Sequence, residues 1–398
     1  MKDDLPLVEE GYSTVHVSEE QVADVRERYD QMYNLTQSGD VRDALCEYYD
    51  TEHAYKFSVN GELMEPAVFA DDAWTAIRED VNGVVGSLGP RESPPQDFEY
   101  VRDLIGEKAA IAAGDQAPTR IDVSDILYNG TVFAARQIQT NNDGTPVFDA
   151  YPADFFSYLS ASHSMAAETY DNLLDGRHTA KGQKRDTYAP SYDAVRRCTL
   201  PMFIGTCAVT MLERADGSTQ VLFGERPMTV VQAPGVYGTL PGGTVETERG
   251  YMQEEYDVEY TVLREFAEEL LGESVDVPDD TTPREYGVVG ELYDAVKSGR
   301  AHHVYTSSFI PMMAPRICIG TLLYLEDPGL SEALVDRMDG NWESREGVES
   351  VSLPMQNTPP FLRPDSTAPD AVGIFSEGLQ AARDRFDVEL GFTLNGSP

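Results

Sequence analysis

Apolar residues recur along this chain at two spacings, and the change from one to the other marks out its elements. Val22, Val25, Tyr29 and Met32 keep the three-to-four-residue period of a helical face. They follow Ser18-Glu19-Glu20-Gln21, which reads as a capping box. A second short helix is expected from Val41 to Tyr49. Asn129-Gly130 and Asp143-Gly144 flank Thr131 to Thr140 and predict a three-stranded meander, after which Pro152 to Tyr170 reads as helical. In the second half, Cys207 to Glu213, Asp216-Gly217 and Gln220 to Arg226 read as strand, hairpin turn and strand. Tyr286 to Tyr293 and Arg316 to Glu326 read as further strands, the latter a nearly unbroken apolar run suited to a buried sheet. A helix is expected from Leu330 to Met338 and a strand from Val348 to Leu353. After the proline-rich loop Pro359 to Pro369, a closing helix is expected from Ala371 to Phe386.

This inventory predicts an α/β fold in which a mixed sheet lies between helices. A length of 398 residues exceeds one ordinary domain. The expected division is an N-terminal α+β domain of unassigned role over residues 1–195 and a sheet-and-helix domain over 200–398.

The densest candidate chemistry lies in Leu240-Pro241-Gly242-Gly243-Thr244-Val245-Glu246 and in the segment beginning at Arg264, Arg-Glu-Phe-Ala-Glu-Glu-Leu-Leu-Gly. If residues 257–271 are helical, Glu265, Glu268 and Glu269 share one face while Leu263, Phe266 and Leu270 form an apolar stripe on another. Like charges at these spacings repel by roughly 0.2–0.5 kcal/mol per pair. A divalent cation would neutralise them, and magnesium, a hard ion that takes oxygen ligands, is the natural candidate. The competing reading is a solvated acidic face. Gly242 and Gly243 are expected to let backbone approach a ligand or the start of the helix.

The order strand, hairpin, strand, Leu-Pro-Gly-Gly-x-Val-Glu, acidic helix resembles the first half of a Nudix domain along roughly 70 residues. The resemblance implies a Nudix-type α/β/α sandwich that binds Mg2+ or Mn2+ and cleaves the diphosphate of a nucleoside diphosphate derivative. By position, Glu265 and Glu269 match the metal-ligating carboxylates, Glu268 a further ligand or the base for water, and Arg264 the arginine that holds the box together by ion pairing. The chain departs from the family pattern G-x5-E-x7-R-E-U-x-E-E-x-G-U. Arg264 follows Gly243 by 21 positions rather than 14, and Tyr256 stands where the first box glutamate belongs. Leu271 holds the place of the closing glycine, with Gly272 one residue later. Glu254 or Glu255 is the expected substitute for the missing glutamate. The same departures suit an alternative, a non-catalytic Nudix-like domain that senses a nucleotide.

Composition narrows the setting. The net charge is −39, with 69 Asp and Glu against 30 Lys and Arg. This resembles the proteins of salt-in halophiles, and the spread of acids along the whole chain argues against an acidic tail that mimics nucleic acid. Such a surface does not suit binding to nucleic acid. No stretch approaches 18 consecutive apolar residues and Met1-Lys2-Asp3-Asp4 lacks a signal pattern, so a cytoplasmic protein that does not span a membrane is expected. Cys46, Cys198, Cys207 and Cys318 show no C-x-x-C spacing and predict neither zinc nor disulfides. His302-His303 would point to opposite faces of a strand. Arg177, His178, Lys181, Lys184 and Arg185 form one basic stretch, read either as a flexible linker or as a phosphate clamp.

Overall fold

The structure is a computed structural model and describes residues 14–49, 51–122, 127, 129–228, 230, 234–247, 255–273, 283–338 and 348–396. At the N-terminal end the capping box forms as its residues dictate. Ser18 Oγ accepts from the Gln21 amide at 3.2 Å, and the Gln21 side chain accepts from the Ser18 amide at 2.9 Å. The helix Glu19–Ser38 follows, and Gly39 turns at φ 83° into the helix Asp40–Tyr48.

One twelve-stranded mixed sheet organises the molecule. Its central strand, Met202–Glu213, pairs in parallel with Ile317–Leu325 and antiparallel with Thr131–Thr140. Outward on one side lie Ala301–Pro311 and then Val68–Phe69; on the other lie Pro146–Asp154 and Val85–Leu88. Thr219–Glu225 forms a hairpin with the end of the central strand through Asp216-Gly217, with Gly217 at φ 80°, and Glu349–Leu353 pairs beyond it.

The alternation of side chains along these strands places helices on both faces. Val209, Met211 and Leu322 share a core with Ile374, Phe375 and Leu379 of the closing helix Pro369–Phe386. Leu212, Leu323 and Leu325 point the other way and pack on Leu263, Phe266 and Leu270 together with Val288, Val289 and Leu292. The result is a layered α/β/α arrangement of the expected class. The sheet is continuous across residues 195–200, because strands from both halves of the chain pair side by side.

Two elements differ from their sequence expectation. Residues 286–293 are not a strand: Gly287–Lys297 is a helix burying Val288, Val289, Leu292, Tyr293 and Ala295 on one side. The β-branched Val288-Val289 pair mimics a strand locally, while the spacing of the whole stripe is helical. Nor do Asn129-Gly130 turn a hairpin. The Asn129 side chain accepts from the Phe156 amide at 2.9 Å and the Gly130 carbonyl from the Phe155 amide at 3.1 Å, capping the helical segment that starts there. The preceding strand, Thr119–Asp122, pairs instead with Thr14–Val17, so only the Asp143-Gly144 hairpin of the expected meander forms.

Within the basic stretch Arg177, His178 and Lys181 are exposed on a segment without helix or strand, whereas its end is built into the fold. Gln183–Tyr188 is a short helix, and Arg185 is fully buried. Its guanidinium donates to the carbonyls of Met165, Met312 and Met313 and to the hydroxyls of Tyr49 and Thr169, at 2.7–3.3 Å. Lys184 pairs with Asp97 at 2.9 Å. All four cysteines are free thiols. Among the described residues no helix is long and apolar enough to cross a membrane.

Candidate functional site

The carboxylate helix begins with two caps from different parts of the chain. Asp257 accepts from the Tyr260 amide at 2.8 Å, and Asn82 accepts from the Val258 amide at 2.9 Å while donating to Asp257 at 2.9 Å. The segment is α-helical over Val258–Glu265 and then widens into a π-turn over Phe266–Leu270. The extra residue per turn changes the simple i, i+3, i+4 relation expected of Glu265, Glu268 and Glu269, and such turns occur frequently at functional sites. Leu263, Phe266 and Leu270 are fully buried, and Gly272 ends the helix at φ 62°.

Gly242–Thr244 is not a left-handed turn. It is a short strand antiparallel to Gly205–Cys207, with Gly242 opposite Cys207. What glycine supplies at 243 is space: a Cβ there would land on the Glu265 carboxylate. The Gly242 amide donates to Glu269 Oε2 at 2.8 Å, tying the buried carboxylate of Glu269 to the sheet.

Arg264 sits among these acids with its side chain 5% exposed. It reaches Glu265 at 2.5 Å, Glu246 at 3.4 Å and Glu268 at 3.7 Å. Glu246, Glu265 and Glu268 thus meet at one guanidinium, while Gly242 and Gly243 hold Glu269 and Glu265 against the sheet. Among the described residues, no three Asp, Glu, His or Cys side chains are disposed as a metal cage.

Two neighbours, Glu246 and Asn82, are not among the site residues expected from the sequence, while Glu255 is an expected substitute for the missing glutamate. Glu246 follows the glycines on a two-residue strand paired with Thr131-Val132 and meets Arg264. Its spacing from Gly243 was the available signal. Glu255 is buried and accepts a hydrogen bond from Thr247 Oγ1, whereas Glu254 lies outside the described residues. Asn82, 175 residues away from Asp257, carried no local signal. Tyr256, at the place of the absent glutamate, is a core residue. Its ring lies 5.1 Å from that of Phe133 and its hydroxyl donates to the Phe148 carbonyl at 2.5 Å. Burial pushes the Cys207 thiol up to about 12, which keeps it protonated and unreactive at neutral pH.

His302 and His303 do face opposite ways. His302 stacks near Phe386 and reaches Glu326 at 2.8 Å, while His303 is buried with no hydrogen-bond partner at either ring nitrogen.

No protein-family model matches this chain, and no curated protein matches it in sequence. Among solved structures it is similar to a MutT/nudix family protein from Enterococcus faecalis at 14% identity and a TM-score of 0.29, over 48% of this chain and 65% of that one. The match therefore spans just under two-thirds of the Enterococcus protein. An Ap4A hydrolase from C. elegans aligns at 14% identity and a TM-score of 0.21, over 38% of this chain and 81% of its own. A NUDIX hydrolase from Alicyclobacillus acidocaldarius aligns at 17% identity and a TM-score of 0.18, over 31% and 69%. TM-scores this low do not establish a shared fold.

Proposed function

We propose that this chain is a metal-dependent Nudix-type hydrolase that cleaves the diphosphate of a nucleoside diphosphate derivative. The observation that carries the reading is the convergence of Glu246, Glu265 and Glu268 on Arg264, with Glu265 and Glu269 held against the strand Gly242–Thr244. The donors that these carboxylates offer are all hard oxygens. That donor set fits magnesium or manganese. Magnesium usually keeps several waters and takes one or two protein carboxylates plus substrate phosphates, so a closed three-ligand cage is not required.

Glu265, Glu268 and Glu269 would hold the ion. Bound there, it would neutralise charge developing on phosphoryl oxygens and lower the pKa of a coordinated water. Glu269 is oriented by the Gly242 amide, and Arg264 keeps the other carboxylates from splaying apart. Glu268, with its side chain 31% exposed, is the most accessible of the three and is assigned as a further ligand or the base for water. The N-terminal half supports the site indirectly, through Asn82 at the helix start and Thr131-Val132 beneath Glu246.

The engagement of Arg264 with three carboxylates and the burial of Tyr256 favour a second reading, a domain that binds a nucleotide without turnover. One experiment separates them. Purified protein with Mg2+ or Mn2+ in molar KCl should release phosphate-containing products from at least one nucleoside diphosphate derivative, and Glu269→Gln should abolish release. Glutamine keeps an acceptor for the Gly242 amide, so the variant should melt like the parent. Unchanged turnover in Glu269→Gln would remove these residues from the site. Saturable nucleotide binding with no turnover under any metal would establish the second reading.

A further inference from the structure

A cavity of about 390 Å3 lies between the N-terminal helices and the sheet, within the ~300–1,000 Å3 typical of small-molecule sites. Its wall is rich in aromatic residues: Tyr29, Tyr33, Tyr100 and Tyr170 all line it. Two of their hydroxyls are already engaged, that of Tyr100 with His163 at 2.6 Å and that of Tyr170 with Thr36 at 3.1 Å. Those two rings therefore offer apolar and π surface rather than free hydroxyls.

The charges on the wall do not balance. Five carboxylates line it against three guanidiniums. Each guanidinium has a partner: Arg28 pairs with Asp171 at 2.8 Å, Arg42 with Asp43 at 2.9 Å and Arg316 with Asp370 at 2.7 Å. Glu65 pairs with Lys56 at 2.7 Å and Asp103 with Arg102 at 3.4 Å, which leaves Glu107. Glu107 makes no hydrogen bond or ion pair among the described residues; Arg28 and Lys108 act on it only through space. Burial holds Lys108 down to about 7, so at neutral pH it is only partly charged, and its Nζ is directed to the carbonyls of Met228 and Val230. Asp370 is buried, its Oδ2 accepts from Arg316 at 2.7 Å and from the Cys318 thiol at 3.1 Å, and its Oδ1 is closed off from the cavity. An unpaired carboxylate in a partly apolar wall is costly unless a donor reaches it.

We infer that this cavity is a binding site for a small organic ammonium ion, whose N–H groups meet Glu107 and whose apolar body lies among the tyrosines. Aromatic rings and carboxylates together are the surroundings that favour such a cation over water. The inference concerns the N-terminal helices and is independent of the Arg264 cluster.

The test is calorimetric titration of the full-length protein with 2-phenylethylammonium chloride and, separately, with its neutral analogue 2-phenylethanol. The ammonium should bind saturably at one site and the alcohol far more weakly. Glu107→Gln should weaken the ammonium by at least about tenfold, the scale of one charge-assisted hydrogen bond. Glu99→Gln, an exposed change on the same helix Phe98–Ala113, should leave it unchanged. Equal binding of ammonium and alcohol, no saturable binding of either, or a Glu107→Gln affinity matching the parent would each overturn the assignment. The comparison of the two probes on the unmodified protein needs no variant to fold.

Discussion

At position 243 a single hydrogen in place of a methyl group sets how closely the carboxylate helix approaches the sheet. The backbone there is extended, so alanine would tolerate the conformation. It is the Glu265 side chain that a Cβ would meet, so its carboxylate would have to move aside. Gly243→Ala should displace Glu265 and cost about 1–3 kcal/mol, the usual price of overpacking, read as a lowered melting temperature together with loss of metal-dependent turnover. A variant with parental stability and activity would show that Glu265 need not lie where it does. His303 makes a second residue-scale prediction. Burial lowers its pKa from 6.5 to about 3. The unfolded chain therefore takes up a proton below pH 6.5 that the folded chain refuses, and stability is lost as pH falls from 6.5 toward 3. By pH 5 this amounts to about 2 kcal/mol. His303→Leu should flatten the fall in melting temperature between pH 7 and pH 5 relative to the parent, and identical slopes would clear His303 of any part in acid sensitivity.

Helices and strands with long, regular stripes were legible in the sequence for physical reasons. Val22, Val25, Tyr29 and Met32 could be placed because one period runs through them, and Ile317–Leu325 because every residue in it is buried. Gly287–Lys297 was misread because its two valines sit at the start, where β-branching outweighs a stripe only three turns long. The residues of the candidate site divide in the same way. Arg264 to Glu269 are adjacent in sequence and could be read together, whereas Asn82 and the pairing of Glu246 depend on strands brought together only by folding. Arg185 is the clearest case of chemistry decided at the level of elements. In sequence it belongs to a basic run, yet in the fold it joins its short helix to Tyr49, Met165, Thr169, Met312 and Met313. Arg185→Met would strand several buried acceptors at about 1–3 kcal/mol each. Urea unfolding should show a loss of at least about 3 kcal/mol, and Arg185→Lys should not restore it, since an ammonium cannot reproduce the planar fork. A methionine variant within about 0.5 kcal/mol of the parent would mean the acceptors find other partners.

On the scale of the whole molecule, strands from both halves of the chain pair in one sheet, and the sequence carries 69 acids against 30 basic residues. Two electrostatic effects of salt oppose each other. Screening weakens ion pairs such as Arg26–Asp115 and Arg337–Glu291, but these are exposed, and exposed pairs contribute little, typically about 0–1 kcal/mol. Screening also relieves repulsion among the unpaired acids, and that term grows with net charge. At 0.1 M salt the Debye length is about 10 Å, long enough for neighbouring surface carboxylates to repel. At 1 M it is about 3 Å, and they scarcely sense each other. With a net charge of −39 the second effect should dominate. The melting temperature should therefore climb as KCl rises from roughly 0.1 M to 1 M, most steeply at the low end where the Debye length changes fastest. Because the effect is screening, NaCl should follow the same course at equal ionic strength. A melting temperature that stayed flat or fell over that range would show that paired charges, rather than the acidic excess, govern the stability of this fold.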